Sequence, residues 1–202
     1  MEEREECSVI HLISADRMNR LNRSRVQALT DLLTIVDRDA GCRVSSVRGD
    51  KPLIITGNQH YFSVGADLNE VRSLSAAEAF EFARLGQKLF NIIAGYPAPV
   101  WAAISGYCFG GGLDLALACH IRLCAPNAVF GHRGAALGFM TGWGGTQRLP
   151  NSVGRARAAQ MFVAAEKLGA AEALDAGLVR EIAPDPLARA IELTTREQYH
   201  PR

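Results

Sequence analysis

The chain has 202 residues, of which 48 % are hydrophobic and 21 % are charged, and its formal net charge is +1. This balance is sufficient for a sizeable core and excludes a disordered or fibrous chain. The near-neutral charge argues against a general nucleic-acid-binding protein, which needs a basic excess.

No segment of the sequence indicates targeting or membrane insertion. Residues 1–6 are too acidic for a signal or transit peptide. The longest stretch without a charge, residues 89–113, is interrupted by Pro97, Pro99 and several glycines, which predicts a buried segment and no membrane contact. The five cysteines form no C-x-x-C pair, so we interpret them as buried thiols in a reducing cytoplasm.

The first half of the chain alternates predicted strands and helices. Residues 8–14 and 52–56 have the apolar character of strands, and residues 23–36 show one apolar helical face. The sequence from Ser75 to Glu78 fits a capping box that opens a long helix ending before Pro97. We expect Phe80 and Leu89 to point inward from that helix.

In the second half, residues 100–104 and 120–124 are predicted strands, separated by a glycine-rich turn over 106–112 and a buried helix over 113–118. Residues 131–154 give a mixed signal. Helices are predicted from residue 154, over 170–176 and over 186–198, with a short strand over 178–182. This alternation predicts an α/β fold with parallel strand pairing.

Two segments, residues 55–68 and 104–115, each run from a strand through glycines into a helix. Such junctions present free backbone N–H groups at a helix N-terminus, so two of them together can hold an oxyanion. The alternative is that both are packing turns. Neither segment contains a dinucleotide fingerprint, a P-loop or a nucleophile elbow, and the histidines have no metal-ligand spacing.

The two segments, taken with three others, resemble the enoyl-CoA hydratase/isomerase (crotonase) superfamily. The similarity extends in order over residues 8–195. The matching segments are the early loop 16–22, the junction 55–68, the glycine-rich region 99–117, the G-W-G-G-T-Q-R-L-P run at 142–150, and the E-A-L-D-A-G-L-V turn at 172–179.

The resemblance implies a crotonase-like (ClpP/crotonase) α/β spiral of repeated ββα units. Residues 1–150 would form the core and residues 151–202 a shortened C-terminal helical region. It also implies a role in fatty acid metabolism in the cytoplasm and a homo-oligomer, a trimer or hexamer. We expect apolar surface near Leu187, Ile191 and Leu193 to need a partner.

Family members bind acyl-CoA thioesters and stabilise an enolate with two main-chain N–H groups, which by position belong to Ala66 and Gly111. No metal or redox cofactor is implied, because coenzyme A is part of the substrate. Ala66, Asp67, Leu68 and Gly111 would line the coenzyme A path. Arg17 and Arg20 would meet its phosphates, unless these arginines form only a solvated face.

The acid/base pair departs from the family pattern. Hydratases of the family use two glutamates, and this chain has Asp114 at the first position and Gly134 at the second. Asp114 is either an acid/base group or a first-turn acid of its helix. His132 is either a further acid/base candidate or a structural histidine. Three functions follow: a hydratase/isomerase, a single-acid isomerase, decarboxylase or thioesterase, and a catalytically weak acyl-CoA-binding subunit.

Overall fold

The computed structural model describes residues 1–38 and 51–196, with ten strands, eight α-helices and one short 3-10 turn, Ala135–Leu137, in these ranges. The strands are β1 Glu2–Glu3, β2 Ser8–His11, β3 Leu53–Thr56, β4 Tyr61–Ser63, β5 Val100–Ile104, β6 Tyr107–Phe109, β7 Ile121–Cys124, β8 Val129–Gly131, β9 Lys167–Gly169 and β10 Glu181–Ile182. The helices are α1 Arg23–Arg38, α2 Leu68–Ser73, α3 Ala76–Ala94, α4 Gly111–Ala118, α5 Gly145–Val153, α6 Arg155–Val163, α7 Ala170–Asp175 and α8 Pro186–Arg196.

The larger sheet has the strand order β1-β2-β3-β5-β7-β10, and all its neighbours are parallel except β1 and β2. Its central strands β3 and β5 are buried along their whole length. Continuous apolar strands of this kind are typical of a parallel sheet that is covered on both faces. The predicted α/β class with parallel pairing is therefore confirmed.

A second, smaller sheet has the order β4-β6-β8-β9. Strands β4, β6 and β8 are parallel to one another, and each directly follows a strand of the larger sheet. Repeated pairs of this kind, each with one strand in either sheet, bring the ends of β4 and β6 side by side. Two strands that follow residue 150 also join these sheets, since β9 pairs with β8 and β10 pairs with β7. The predicted division of the chain into a core of residues 1–150 and a C-terminal region stays a prediction.

The buried side chains form two clusters. Among the described residues, the larger one joins strand side chains such as Ile55 and Ile104 to helix side chains that include Phe82, Leu89 and Phe90 of α3. Phe80 is 63 % exposed, so its predicted inward position is wrong. The buried face of α3 follows Phe82, Gly86, Leu89, Phe90 and Ile93 instead, a spacing that puts Phe80 on the opposite side.

The smaller cluster lies between the larger sheet and α8. Leu193 is buried there against Val9, Ile54 and Trp101, and Leu187 and Ile191 pack onto the same cluster. The expectation that these α8 residues leave apolar surface for a partner is wrong, because α8 lies on its own sheet.

Four cysteines, Cys7, Cys108, Cys119 and Cys124, are free and buried, as predicted, and Cys42 lies outside the described residues. Burial raises the pKa of Cys119 to about 12 and that of Cys124 to about 11. Over the described ranges, no helix is both long and apolar enough to cross a membrane. Within the same ranges, no group of three or more His, Cys, Asp or Glu residues is arranged to hold a metal ion.

Candidate active site

The two predicted junctions meet at the ends of the parallel strands β4 and β6. A Cβ atom built on Gly65 would lie 2.6 Å from the Gly111 nitrogen, and one built on Gly111 would lie 3.4 Å from the Ala66 nitrogen. Gly65 also has a φ of +87°, in the left-handed region that favours glycine. The close approach of the two backbones therefore depends on glycine at position 65.

The first junction is held in place by the early loop. The Asn19 side chain is buried and its Nδ2 donates to the carbonyls of Tyr61, at 2.9 Å, and Phe62, at 3.2 Å. The Ser63 hydroxyl donates to the Asn19 carbonyl at 2.7 Å and accepts from the Gly65 N–H at 3.1 Å. The motif match included Asn19 without assigning it a role, and the structure shows that it fixes the turn before Ala66.

The second junction places Gly111 as the first residue of α4, after Gly110 at the N-cap. The N–H groups of a first helical turn have no acceptor inside the helix, so they are free for a ligand. Ala66 directly precedes Asp67, which caps α2 by accepting a hydrogen bond from the Asn69 N–H at 3.0 Å. Gly111 thus stands at the start of a helix and Ala66 just before the N-cap of another, and negative charge is favoured near helix N-termini.

A cavity of about 490 Å³ opens beside these two residues. Most of its walls are apolar and come from the junctions, α2, α3 and the segment that precedes α5. Its lining includes Ala66, Leu68, Phe82, Gly111, His132, Gly134, Thr141 and Trp143. A concave, mainly apolar site with a few convergent polar groups is typical of a small-molecule pocket.

Trp143 forms part of the cavity wall and is buried between α3 and Gly111. Its ring makes edge contacts with Phe82 and Phe90, at centroid distances of 5.1 and 5.6 Å. Its Nε1 donates to the Phe82 carbonyl at 3.2 Å. The sequence analysis included Trp143 only as part of the glycine-rich run at 142–150 and gave it no role. A tryptophan among glycines was the one feature that could have indicated a large side chain packed against Gly111.

Three polar side chains meet behind Gly111. Asp114 is fully buried in α4, and its Oδ2 accepts a hydrogen bond from the Thr141 hydroxyl. Its Oδ1 lies 3.3 Å from Nε2 of His132, which is 3 % exposed. The angles at this contact are not those of a hydrogen bond, and neither atom has another hydrogen-bond partner among the described residues.

The predicted residues thus divide into four places. Ala66, Leu68, Gly111 and His132 line the cavity, and Asp114 lies behind its wall. Arg20 and Asp67 line an adjoining cleft, which shares Ala66 and Leu68 with the cavity. Arg17 lines a separate cleft together with Asn58 and His60, so the structure does not bring Arg17 and Arg20 together.

Arg20 is held within the early loop by an ion pair with Asp16, at 2.5 Å between Nη1 and Oδ2. A hydrogen bond from the Ser14 hydroxyl is the main cause that lowers the pKa of Asp16, and the Met18 N–H and the Arg20 charge add to it. Arg20 is therefore oriented at the mouth of the adjoining cleft by an ionised carboxylate.

Comparison with known proteins relates this chain to enoyl-CoA hydratases. The sequence pattern of the enoyl-CoA hydratase/isomerase family matches residues 2–197. A crotonyl-CoA hydratase of Syntrophomonas wolfei is 39 % identical over 183 residues, which are 90 % of this chain and 67 % of that protein. A probable enoyl-CoA hydratase of Bacillus subtilis is 41 % identical over 162 residues, or 80 % of this chain and 60 % of that protein.

Solved structures agree with these matches. DspI of Pseudomonas aeruginosa superposes with a TM-score of 0.87 at 31 % identity, covering 96 % of this chain and 78 % of that one. An enoyl-CoA hydratase of Thermoplasma volcanium gives a TM-score of 0.86 at 32 % identity, covering 96 % and 75 %. The predicted resemblance, the crotonase-like fold class and the hydratase/isomerase type of protein are confirmed.

Proposed function

This chain belongs to the enoyl-CoA hydratase/isomerase family, and we propose that it binds an acyl-CoA thioester and stabilises its enolate in the cavity beside Ala66 and Gly111. The observation that supports the proposal is the close approach of the two junction backbones, which brings Ala66 and Gly111 to the wall of the same cavity. The thioester oxygen gains negative charge when a proton leaves the α-carbon, and it would lie between these donors. One such donor stabilises a transition state by about 3 kcal/mol.

The surroundings favour this use of the two donors. Most of the lining is apolar, and a hydrogen bond to a developing oxyanion would be stronger beside it than in bulk solvent. The chemistry needs no metal and no redox cofactor, because backbone dipoles receive the charge and a side chain moves the proton. Coenzyme A enters as part of the substrate.

The coenzyme A portion would leave the cavity past Ala66 into the adjoining cleft. That cleft carries Arg20 and Arg72 together with Asp67 and the exposed ring of Tyr107. A guanidinium suits phosphate through its planar fork of donors. We assign the phosphate contact to Arg20 and not to Arg17, since Arg17 lines a cleft that has no wall in common with the cavity.

The overall reaction is of the hydratase/isomerase type. A second candidate, a reaction with a single acid/base group such as double-bond isomerisation, decarboxylation or thioester hydrolysis, is favoured by Gly134, which supplies no second carboxylate to the cavity. Assembly as a homotrimer or hexamer and a cytoplasmic location are proposals that rest on the family resemblance.

The first prediction concerns the Gly111 donor. Gly111→Pro removes the N–H at a helix position that otherwise tolerates proline. Any Cβ at this position meets the Trp143 ring, at 2.4 Å when built without adjustment. Gly111→Ala is therefore the matched control, since it adds the same atom and keeps the donor. We expect turnover of crotonyl-CoA by Gly111→Pro to be about 10²-fold below that of Gly111→Ala.

Binding of acetoacetyl-CoA, followed by the ultraviolet absorbance of its enolate, checks the same donor without turnover. Equal enolate binding by folded Gly111→Pro and Gly111→Ala would show that the oxyanion lies elsewhere. Tight binding of acyl-CoA by the wild-type protein without conversion of any thioester would favour the acyl-CoA-binding subunit instead.

A further inference from the structure

Of the described residues that line the cavity, two carry ionisable side chains, His132 and Arg133. A guanidinium stays protonated under all ordinary conditions, so Arg133 cannot accept a proton. Asp114 does not line the cavity. The ring of His132 is therefore the one side chain in the described part of the cavity wall that can both take and return a proton.

Asp114 is separated from the cavity by its neighbours. It is fully buried, and a Cβ built on Gly145 would lie 2.0 Å from its Oδ1, so the α5 backbone covers that oxygen closely. The other oxygen accepts from the Thr141 hydroxyl. A carboxylate enclosed in this way reaches a ligand only through another group. Of the two cavity-lining side chains that it contacts, Thr141 and His132, the imidazole is the one that can act as a base.

We propose that His132 moves the proton at the α-carbon of the bound thioester, and that Asp114 and Thr141 act by positioning His132. The proposal rests on the proposed function and assigns its acid/base residue. The negative charge of Asp114, 3.3 Å from Nε2 of His132, favours a proton on that nitrogen through electrostatic attraction, without a hydrogen bond, and leaves the other nitrogen as the base. With Asp114 at Nε2, the base is Nδ1. The Phe162 ring, 4.7 Å from the imidazole by centroids, restricts rotation of His132.

The step balances without any further reactant. The α-carbon C–H bond breaks, its proton forms an N–H bond at Nδ1 of His132, and the imidazole becomes an imidazolium. The electron pair of the C–H bond becomes the C=C bond of the enolate, and the thioester oxygen takes the negative charge beside the N–H groups of Ala66 and Gly111. Return of the proton, or of a deuteron after exchange with D₂O, reverses each change.

Deuterium exchange into C2 of butanoyl-CoA, followed by NMR in D₂O, measures this step alone and does not depend on the overall reaction. We expect His132→Asn to slow exchange by about 10²-fold or more, while its affinity for acetoacetyl-CoA stays within a few-fold. His132→Gln is the second variant at the site. His11→Asn is the matched control, because His11 pairs with Glu2 at 3.2 Å on β2, away from the cavity, and it should exchange at the wild-type rate.

A double-mutant cycle separates positioning from direct catalysis. If Asp114 acts through His132, Asp114→Asn slows exchange in the wild-type background but adds less than about threefold to His132→Asn. Thr141→Val should slow exchange with little change in affinity, and Thr141→Ser, which keeps the hydroxyl, should restore it. Imidazole added to His132→Gly should recover part of the rate.

Three results would overturn the assignment. The first is that folded His132→Asn and His132→Gln exchange deuterium within threefold of the wild-type rate. The second is that the losses of rate for Asp114→Asn and His132→Asn multiply in the double variant. The third is that the wild-type protein binds acetoacetyl-CoA as the enolate but exchanges no deuterium. Failure of the wild-type protein to bind acetoacetyl-CoA at all would instead remove the proposed function. The two failures are therefore distinguishable.

Discussion

At the scale of single residues, Gly134 bears most directly on the proposed reaction, because the family resemblance puts the second glutamate of hydratases at this position. The chain turns back over this position: the N–H groups of Leu137 and Phe139 both donate to the Gly134 carbonyl. A Cβ on Gly134 would lie 2.4 Å from the Phe139 carbonyl oxygen, which belongs to the backbone and cannot rotate away. The backbone around Gly134 therefore has no room for a glutamate side chain, so the absence of the second carboxylate depends on the local fold as well as on the residue type.

We predict that Gly134→Glu does not restore a two-carboxylate hydratase. Relief of the backbone clash requires movement of the 134–139 turn, which we expect to lower stability by about 1–3 kcal/mol. Ala135→Glu is the matched control, since it adds the same charge at the next, exposed position. Thermal unfolding and crotonyl-CoA hydration measure the two effects. A gain in hydration by a stable Gly134→Glu protein would contradict this account.

The sequence predicted some residues of the site and not others, for a physical reason. The roles proposed for Ala66 and Gly111 use their backbones, and glycine-rich strand-to-helix turns make such positions visible in a sequence. The contact between Asp114 and His132 depends on how α4 packs against the segment after β8. The interpretation of His132 as a structural histidine could not be separated from a catalytic one before that packing was known. The enclosure of Asp114 by Gly145 was equally invisible.

At the scale of elements, α3 supplies a wall of the cavity through Ala79, Phe82 and Ala83. Its start is fixed by a capping box, as the sequence predicted. The Ser75 side chain accepts from the Glu78 N–H, and the Glu78 carboxylate accepts from the Ser75 N–H at 2.8 Å. Hydrogen bonds from the Ser75 hydroxyl and N–H lower the pKa of Glu78 below its ordinary 4.5.

We predict that Ser75→Ala lowers the free energy of unfolding by about 1 kcal/mol at neutral pH, the usual effect of losing an N-cap side chain. Because the pKa of Glu78 is lowered in the folded state, its contribution to stability is present above 4.5 and is lost as the pH falls through the lowered value. The difference between wild type and variant should therefore narrow in acid. Urea unfolding at several pH values checks this, with exposed Ser24→Ala as control. A difference that widens in acid would contradict the capping role of Glu78.

At the element scale, the longest helices and the fully buried strands were the easiest to predict. The long helices α1 and α3 and the buried strands β3 and β5 each carry enough residues to show a pattern. Strands β4, β6, β8 and β9 have three residues each and exist because they pair with one another. Helix α5 was missed because glycines precede it and Pro150 lies inside it. The sequence thus showed the two junctions but not the smaller sheet that holds them together.

At the scale of the whole molecule, each of the two buried clusters contains one tryptophan. Trp143 belongs to the larger cluster, and Trp101 belongs to the smaller cluster between the larger sheet and α8. They are 5 % and 1 % exposed. Only Trp143 lines the cavity, where its ring stands against Gly111. The larger cluster thus contributes residues to the cavity wall, whereas the smaller cluster packs α8 against the larger sheet.

This separation predicts different consequences for the same substitution. Trp143→Leu and Trp101→Leu should both destabilise the protein, each by less than the roughly 3–5 kcal/mol that truncation of a buried tryptophan to alanine costs. Trp143→Leu also removes a ring from the cavity wall, so the ratio of affinities for octanoyl-CoA and butanoyl-CoA should rise. Trp101→Leu should leave that ratio unchanged, because no residue of its cluster lines the cavity. Calorimetric titration with both thioesters provides the ratio. An equal change of the affinity ratio in both variants would mean that chain-length preference follows general destabilisation of the fold. An unchanged ratio in both variants would mean that the acyl chain does not lie against Trp143.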